Sequence, residues 1–522
     1  MLIKAAAQDS TTSNRKMRFK QHTKSHCSIV TIKPFVGCDS SYYKSLRTSV
    51  PVDLNGIIGV WTDSSNDAST IADLMLDSLK HRGHLSRVAS IDGPKSAACL
   101  LGCLSHEGTT QEFAQTRTTL VTLNGSFYGT QAETGAGHVL SRVNRQRPQR
   151  ALRELIREVG GFVGLVGRGD GLYAFRDVNG LKPLYFMQSP HFTAFASERK
   201  ALWRVGLNNP APVPPGAMVR LSRGGVTTNQ VARFSRPREK RMTFEQAAST
   251  VNRLLSRSIR RIMSRAGKVC VAFSGGLDSA LAAALAKRVS GEVEAISVGL
   301  AGSPEIATVE NLADQLGIKI TLEIFPSDSV EEYVRRLLWL IEEPNMMKLS
   351  VAIPLHWAAM VAARRGCNIM LCGQGSDELY GGYNKYAATL RLGGRRALSD
   401  QLYASVTEAS TVNYERDDQA TSTFPVEIRT PFADPDLIRF SLTIPSGFKV
   451  KDGDDVTRKW VLRDVAREVG LPDEIVWRRK KAIQHGTGVE KAILKIAKSR
   501  GLKPEEYLLK IFREVRMAES MP

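Results

Sequence analysis

The sequence predicts an α/β protein in two parts: stacked antiparallel sheets flanked by helices, followed by a doubly wound parallel sheet. Three observations predict it. Between about residues 55 and 235, short β-rich runs alternate with turns and few helical patterns interrupt them. From Thr243 onward, strands alternate with helices of ten or more residues. At Lys268–Lys287 a β-branched strand opens through Ser274-Gly275-Gly276-Leu277-Asp278-Ser279 into a helix rich in Ala and Leu.

Composition bounds the rest. A chain of 522 residues with 42% hydrophobic and 24% charged residues is long enough for two or three folded units. No stretch of about 18 apolar residues lacks a charge, which argues against a membrane span. The first 20 residues lack the apolar core of a secretory signal and resemble a transit peptide only weakly. The seven cysteines are widely spaced and make no pair of CxxC elements, so structural zinc is not expected and a reducing cytoplasm is. The net charge is +20. Residues 1–50 carry nine Lys or Arg against two Asp or Glu, and residues 476–522 twelve against five, so most of the excess lies at the ends. A solvated basic tail plus a phosphate-facing segment accounts for this better than a nucleic-acid surface, because no basic run is interleaved with aromatics.

Three segments follow in order. Residues 1–54 lack a clean period and read as a basic extension without regular structure. Residues 55–235 open on a strand pattern (Asp53 to Trp61), a helix (Ala68 to Lys80) and the loop His81-Arg82-Gly83-His84. Strand landmarks continue at Arg87–Gly93, Thr122–Gly129, Phe175–Phe186 and Phe195–Leu202, with a second helix at Ala136–Arg142. Pro210, Pro212, Pro214 and Pro215 mark a linker. Residues 243–522 begin with a helix (Thr243 to Ala266) and the strand Val269–Phe273. Strands Gly291–Leu300 and Ile318–Phe325 flank a helix at Pro304–Leu316. Helices at Val330–Ile341 and Val351–Arg365 precede a strand at Asn368–Gly373.

Two turns at strand ends carry the chemistry. Glycines 275 and 276 let the backbone approach an oxyanion, and the unpaired N–H groups of the following helix face it. The hydroxyls of Ser274 and Ser279 add donors. Asp278 would repel a bare phosphate, so a cation belongs between them, which suggests a nucleotide bound with Mg²⁺. No Lys follows the glycines, so this is not the GxxxxGK[ST] loop. The second turn, Gly373 to Tyr383, places Asp377 at another strand end. Asp377 reads either as a second metal carboxylate or as the cap of a short helix. Downstream, Trp477-Arg478-Arg479-Lys480-Lys481 reads as a solvated basic face or as a group that neutralises departing pyrophosphate.

The first turn resembles the pyrophosphate loop of N-type ATP pyrophosphatases. With SVGLAGSPE (Ser297 to Glu305), GQGSDELYGGY, EIRTPFAD (Glu427 to Asp434) and WRRKK in this order, residues 55–490 resemble the glutamine-dependent asparagine synthetase family. HRG, NG-x-x-Y, FRD-x-x-G-x-x-PLY and FASE-x-KAL extend the resemblance to the first half. It implies an N-terminal-nucleophile glutaminase-like half followed by an ATP pyrophosphatase half. It also implies ATP and Mg²⁺ as cofactors, and a carboxylate (aspartate by default) with ammonia or an amine as substrates. Carried over, Phe273 and Val298 line the adenine site, Cys372 and Gly373 contact ATP again, and Asp278 and Asp377 hold the metal. Lys480, or Lys481 one register on, stabilises pyrophosphate. Family members commonly form homodimers.

The departures are as informative. The family's first half begins with a catalytic Cys-Gly-Ile at a free N-terminus. Here the matching run is Asn55-Gly56-Ile57, internal and without a nucleophile. Arg87, Asn124 and Gly125 remain where the resemblance implies the glutamine clamp and oxyanion hole, but Ser126 and Ala136 replace two substrate-holding acids. Loss of glutaminase activity is expected. Gln374 stands where the family has a Glu that acts during ammonia attack, and an amide cannot take a proton there. The expected function is therefore an AMP-forming amide ligase. A β-lactam-synthetase-like enzyme, a tRNA-acting pyrophosphatase or a nucleotide-binding protein without turnover are the alternatives.

Overall fold

A computed structural model describes residues 27–34, 55–62, 65–92, 98–107, 109–110, 112–130, 132, 134–222, 225–236, 238–264, 266–303, 306–479 and 486–520. Both predicted parts are present.

In the first part, two antiparallel sheets stack face to face. One runs in the order Cys27–Pro34, Leu85–Asp92, Ala98–Ser105, Asn55–Thr62, Phe192–Ala196, Tyr185–Gln188, Ala211–Pro212. The other runs Gly225–Gln230, Ala217–Ser222, Gly171–Arg176, Gly160–Arg168, Thr119–Phe127, Phe113–Gln115. Alternation decides which residues face which layer. Ile57 and Trp61 meet Leu165 and Ala174 between the sheets, while Ile58 and Val60 turn to the helix Ser65–Asp77. Val121 and Leu123 pack on the helices Gly135–Arg145 and Pro148–Leu155.

Two differences from the sequence reading have clear causes. Cys27–Pro34 is a strand, paired with Leu85–Asp92, inside the segment expected to lack regular structure. Its four consecutive β-branched residues, Ile29-Val30-Thr31-Ile32, suit a strand despite their polar surroundings. The landmark Phe175–Phe186 is two strands joined by a turn, because Asp177 accepts backbone hydrogen bonds from Asn179 (2.8 Å) and Leu181 (3.0 Å) and folds the chain between them.

The second part is a five-stranded, all-parallel sheet in the order Lys319–Phe325, Glu294–Leu300, Val269–Ala272, Ile369–Leu371, Glu427–Arg429. Both faces are covered, and alternate residues serve different cores: Val269 and Val271 on one face, Cys270 on the other. The first face receives the helices Phe244–Met263 and Leu277–Ser290. The former starts at a reciprocal cap in which Thr243 and Gln246 each bind the other's backbone N–H. The second face receives Val330–Ile341 and Met346–Arg364. The last is long and apolar enough to cross a membrane, but every residue from Leu349 to Ala363 is buried within the fold.

The two parts meet across buried charge. A π-helical turn at Ser410–Tyr414 leads into the helix Glu415–Thr421. On that helix Glu415 takes Arg176 at 3.0 Å and the Tyr185 hydroxyl at 2.8 Å, and Asp418 takes Arg82 at 2.8 Å and Lys182 at 2.9 Å. Ser126 joins the same boundary: it donates to Glu427 (3.3 Å) and accepts from Arg429 (3.0 Å). Removing one member of such a pair leaves an unsatisfied buried charge. Replacement of Arg176 by Met should lower stability by about 3–5 kcal/mol in chemical denaturation. Arg150→Ala, which breaks the exposed pair with Glu154, should leave it unchanged.

Candidate functional site

The first turn leaves the central strand Val269–Ala272 at its carboxyl end. Phe273 still donates to the Ile296 carbonyl at 2.8 Å, and the chain then turns at Gly275, whose φ of 66° is a left-handed conformation that suits glycine. The helix begins at Leu277 with Gly276 as its cap, three residues before the expected Ala280, so Asp278 and Ser279 lie in its first turn. Here the helix dipole favours an acid. Ser274 and Ser279 bond each other at 3.2 Å, and Ser279 also accepts from the Ser274 N–H and donates to the Gly276 carbonyl. The hydroxyls thus hold the turn's shape as well as offering donors.

The second turn follows the neighbouring strand Ile369–Leu371. Asp377 lies in the short helix Ser376–Tyr380, in the capping-region setting that the sequence allowed alongside a metal role. The turns touch: a Cβ on Gly373 would stand 2.8 Å from Asp278 Cβ, and Ser376 donates to Asp278 Oδ1 at 2.8 Å.

Between the carboxylates sits a residue the sequence reading passed over. Lys459 Nζ lies 2.7 Å from each Asp278 oxygen and 2.6 Å from Asp377 Oδ1. It also donates to Ser376 at 3.2 Å and is almost fully buried. Arg458 and Lys459 both have positive φ, 52° and 55°, an uncommon conformation for non-glycine residues. The Arg458 guanidinium, anchored on the carbonyls of Gly382 (3.1 Å) and Asp455 (3.0 Å), helps hold the turn. The signal available in the sequence was a local conflict: a lysine at the start of the helix Trp460–Glu468 opposes its dipole.

These groups open onto a cavity of about 430 Å³ lined by Ser274, Asp278, Ser279, Cys372, Gly373, Gln374 and Asp377, and also by Glu378, Tyr383 and Arg416. Met347, Val351, Leu355 and Val412 make its apolar wall. An adjoining slot is lined by Phe273, Val298, Pro354 and Thr487. Gly275 and Gly276 form the turn between the strand and its helix. Lys480 and Lys481 lie outside the described residues. Arg478, from the same basic run, reaches the first turn's surroundings and donates to Thr308 at 3.2 Å. Burial pushes the Cys372 thiol up to about 12, so it stays protonated and contributes shape rather than reactivity.

Glu378 also escaped the sequence reading. Its Oε1 accepts from the Tyr383 hydroxyl (2.7 Å) and Asn413 (2.8 Å), while its buried Oε2 has no hydrogen-bond partner. Burial first, then the neighbouring Asp377, raises its pKa above the ordinary carboxylate value. The π-helical turn presents Val412 and Asn413 to the cavity, and Arg416 follows on the next helix.

In the first part, Asn55 is buried and its backbone N–H donates to Asn124 Oδ1 at 3.2 Å. Arg87 stacks on Phe113 and donates to its carbonyl at 3.4 Å. Ala136 is buried at the start of a helix whose first N–H groups bond Glu112.

Residues 250–400 and 391–508 match the family model described as asparagine synthase. A relative from Methanocaldococcus jannaschii, named as a glutamine-hydrolysing asparagine synthetase, is 32% identical over 390 residues, 64% of this chain and 72% of that one. The chain belongs to the asparagine synthetase family. Asparagine synthetase 3 of Arabidopsis thaliana is 25% identical over 411 residues, covering 72% of this chain and 68% of that protein. As a member of this family the chain has an ATP-dependent ligase or amidotransferase kind of activity.

The donor set fits a divalent ion in part: Asp278 and Asp377 would hold it, but the point on which they converge is taken by the Lys459 ammonium, so the ion would share their oxygens with it. Among the described residues no cluster of three His, Cys, Asp or Glu side chains could hold a metal alone. Lys459→Gln should therefore lower the melting temperature by leaving the aspartates facing each other. Added Mg²⁺ without nucleotide should restore more of that loss than it adds to the parent chain, measured by thermal denaturation.

Proposed function

We propose that the protein joins a small carboxylic acid to ammonia or an amine through an acyl-adenylate. The observation that supports this best is the convergence of Asp278 and Asp377, from two separate turns, on the Lys459 ammonium beside a helix start. Mg²⁺, held by Asp278 and Asp377, would supply charge neutralisation on the triphosphate. Adenine occupies the slot at Phe273 and Val298, and the backbone of Ser274–Ser279 and Cys372–Gly373 faces the phosphates. An acceptor carboxylate oxygen attacks the α-phosphorus and pyrophosphate leaves. Lys459, Arg478 and Lys480 supply cations for its growing charge. The amine then attacks the acyl carbon, its proton passes to Glu378, and AMP departs.

Glu378 replaces a base that Gln374 cannot provide. Tyr383 and Asn413 fix one oxygen and leave the other available. Its raised pKa keeps it protonated to higher pH than an ordinary glutamate, so the amide-forming rate should rise as pH increases through that pKa. Glu378→Gln should leave adenylation nearly intact and slow amide formation by about 10²–10⁴-fold. The Tyr383–Glu378 pair also favours a second reading, in which the amine belongs to the same molecule as the carboxylate. A product lighter than its substrate by one water would identify that case.

The half comprising residues 55–235 serves as a scaffold, with ammonia taken from solution. Asn55 offers no nucleophile, Ser126 is committed to Glu427 and Arg429, and Ala136 has no acid to hold an amine. The test is pyrophosphate exchange into ATP across a panel of carboxylic acids, followed by amide formation with ammonia or glutamine. Exchange should require one class of acid and fall at least about 10²-fold in Asp278→Ala. Ammonia should support amide formation, and glutamine should release no glutamate. Exchange that survives Asp278→Ala sinks the site assignment, and glutamate release sinks the scaffold reading.

A further inference from the structure

A second cavity, of about 330 Å³, lies between the two parts of the chain and shares no lining residue with the ATP site. One wall comes from the first part, with Lys200, Trp203 and Arg204. The other comes from Trp339 on the helix Val330–Ile341 and from Arg513 and Arg516 on the C-terminal helix Pro504–Ser520.

Three properties define what fits there. The walls are aromatic: Trp203, Trp339 and Phe512 line the cavity, with Trp203 and Phe512 edge to face at 6.4 Å. The indole Nε1 atoms of both Trp203 and Trp339 are buried and lack an acceptor. Those N–H groups expose no surface to the cavity, so an occupant meets the indoles through their rings. The lining is also cationic, and no carboxylate lines it among the described residues.

Lys200 is already neutralised by Glu198 and Glu342 and lies 4.3 Å over the Trp339 ring. Arg516 lies 4.3 Å over the Trp203 ring and meets the neutral Asn208 amide at 3.3 Å. Arginine and indole groups donate hydrogen bonds and accept none. The volume suits a ligand of one or two rings.

We propose that this cavity is a binding site for a small aromatic oxyanion, an aryl carboxylate or aryl phosphate. Its rings pack among Trp203, Trp339 and Phe512, and its oxygens accept from the arginines. The site is independent of the chemistry proposed for the ATP site, because neither its residues nor its test involves turnover.

Titration calorimetry on the full chain, with 2-naphthoate, 2-naphthyl phosphate and the neutral 2-naphthalenemethanol, tests this. At least one anion should bind, and the alcohol should bind about tenfold more weakly or worse. The stronger anion identifies the headgroup. Arg513→Glu, an exposed change, should weaken the anion by about tenfold or more and leave the alcohol unaffected. Trp339→Ala removes one ring of the lining and should weaken anion and alcohol alike. Absence of binding by both anions, equal affinity for alcohol and anion, or unchanged anion affinity in Arg513→Glu would each overturn the proposal.

Discussion

The site depends on one buried ammonium. Asp278 and Asp377 project from different strand ends towards the same point, and without a cation their charges would drive the turns apart. Lys459 settles this by contacting both at under 3 Å. It approaches from a third segment, more than 70 residues beyond the second turn, so the acidic pair is assembled only when these three segments come together. The strained backbone at Arg458 and Lys459 fits that role: a lysine against a helix dipole, in a left-handed conformation, persists because its charge is matched elsewhere.

The same logic governs the boundary between the halves. Arg82, Arg176 and Lys182 are buried, and their partners Glu415 and Asp418 lie on one seven-residue helix of the second part. That helix follows directly on the π-helical turn whose residues line the cavity. The docking face and the wall of the cavity therefore share a single short segment. Burying this many charges gives little net stability but makes the geometry specific, since each charge is satisfied in one arrangement.

Much of this was legible in the sequence because it is local. The strand–turn–helix at Val269–Ser290, the period-2 cores and the order of βα units follow from residues near one another in the chain. What was missed is long-range. Lys459 looks like an ordinary surface lysine until two distant aspartates close on it. Glu378 looks like part of a helix turn until Tyr383, Asn413 and burial isolate one of its oxygens. The parallel strand Glu427–Arg429 is three residues long, too short for any periodicity to show, and exists because Ile369–Leu371 offers it an edge. Helix Pro148–Leu155 was hidden by its arginines, which lie on the solvent face while Ala151, Leu152 and Leu155 are buried.

The bonding of Ser126 has a consequence for how this chain can change over time. Ser126 bonds the Glu427–Arg429 pair, and those two residues lie on the outermost strand of the parallel sheet. The first half is thus wired into the framework of its neighbour. Its buried cationic side chains are not free to drift, because losing one of them would leave an acid of the other part in a dry interior without its counter-charge.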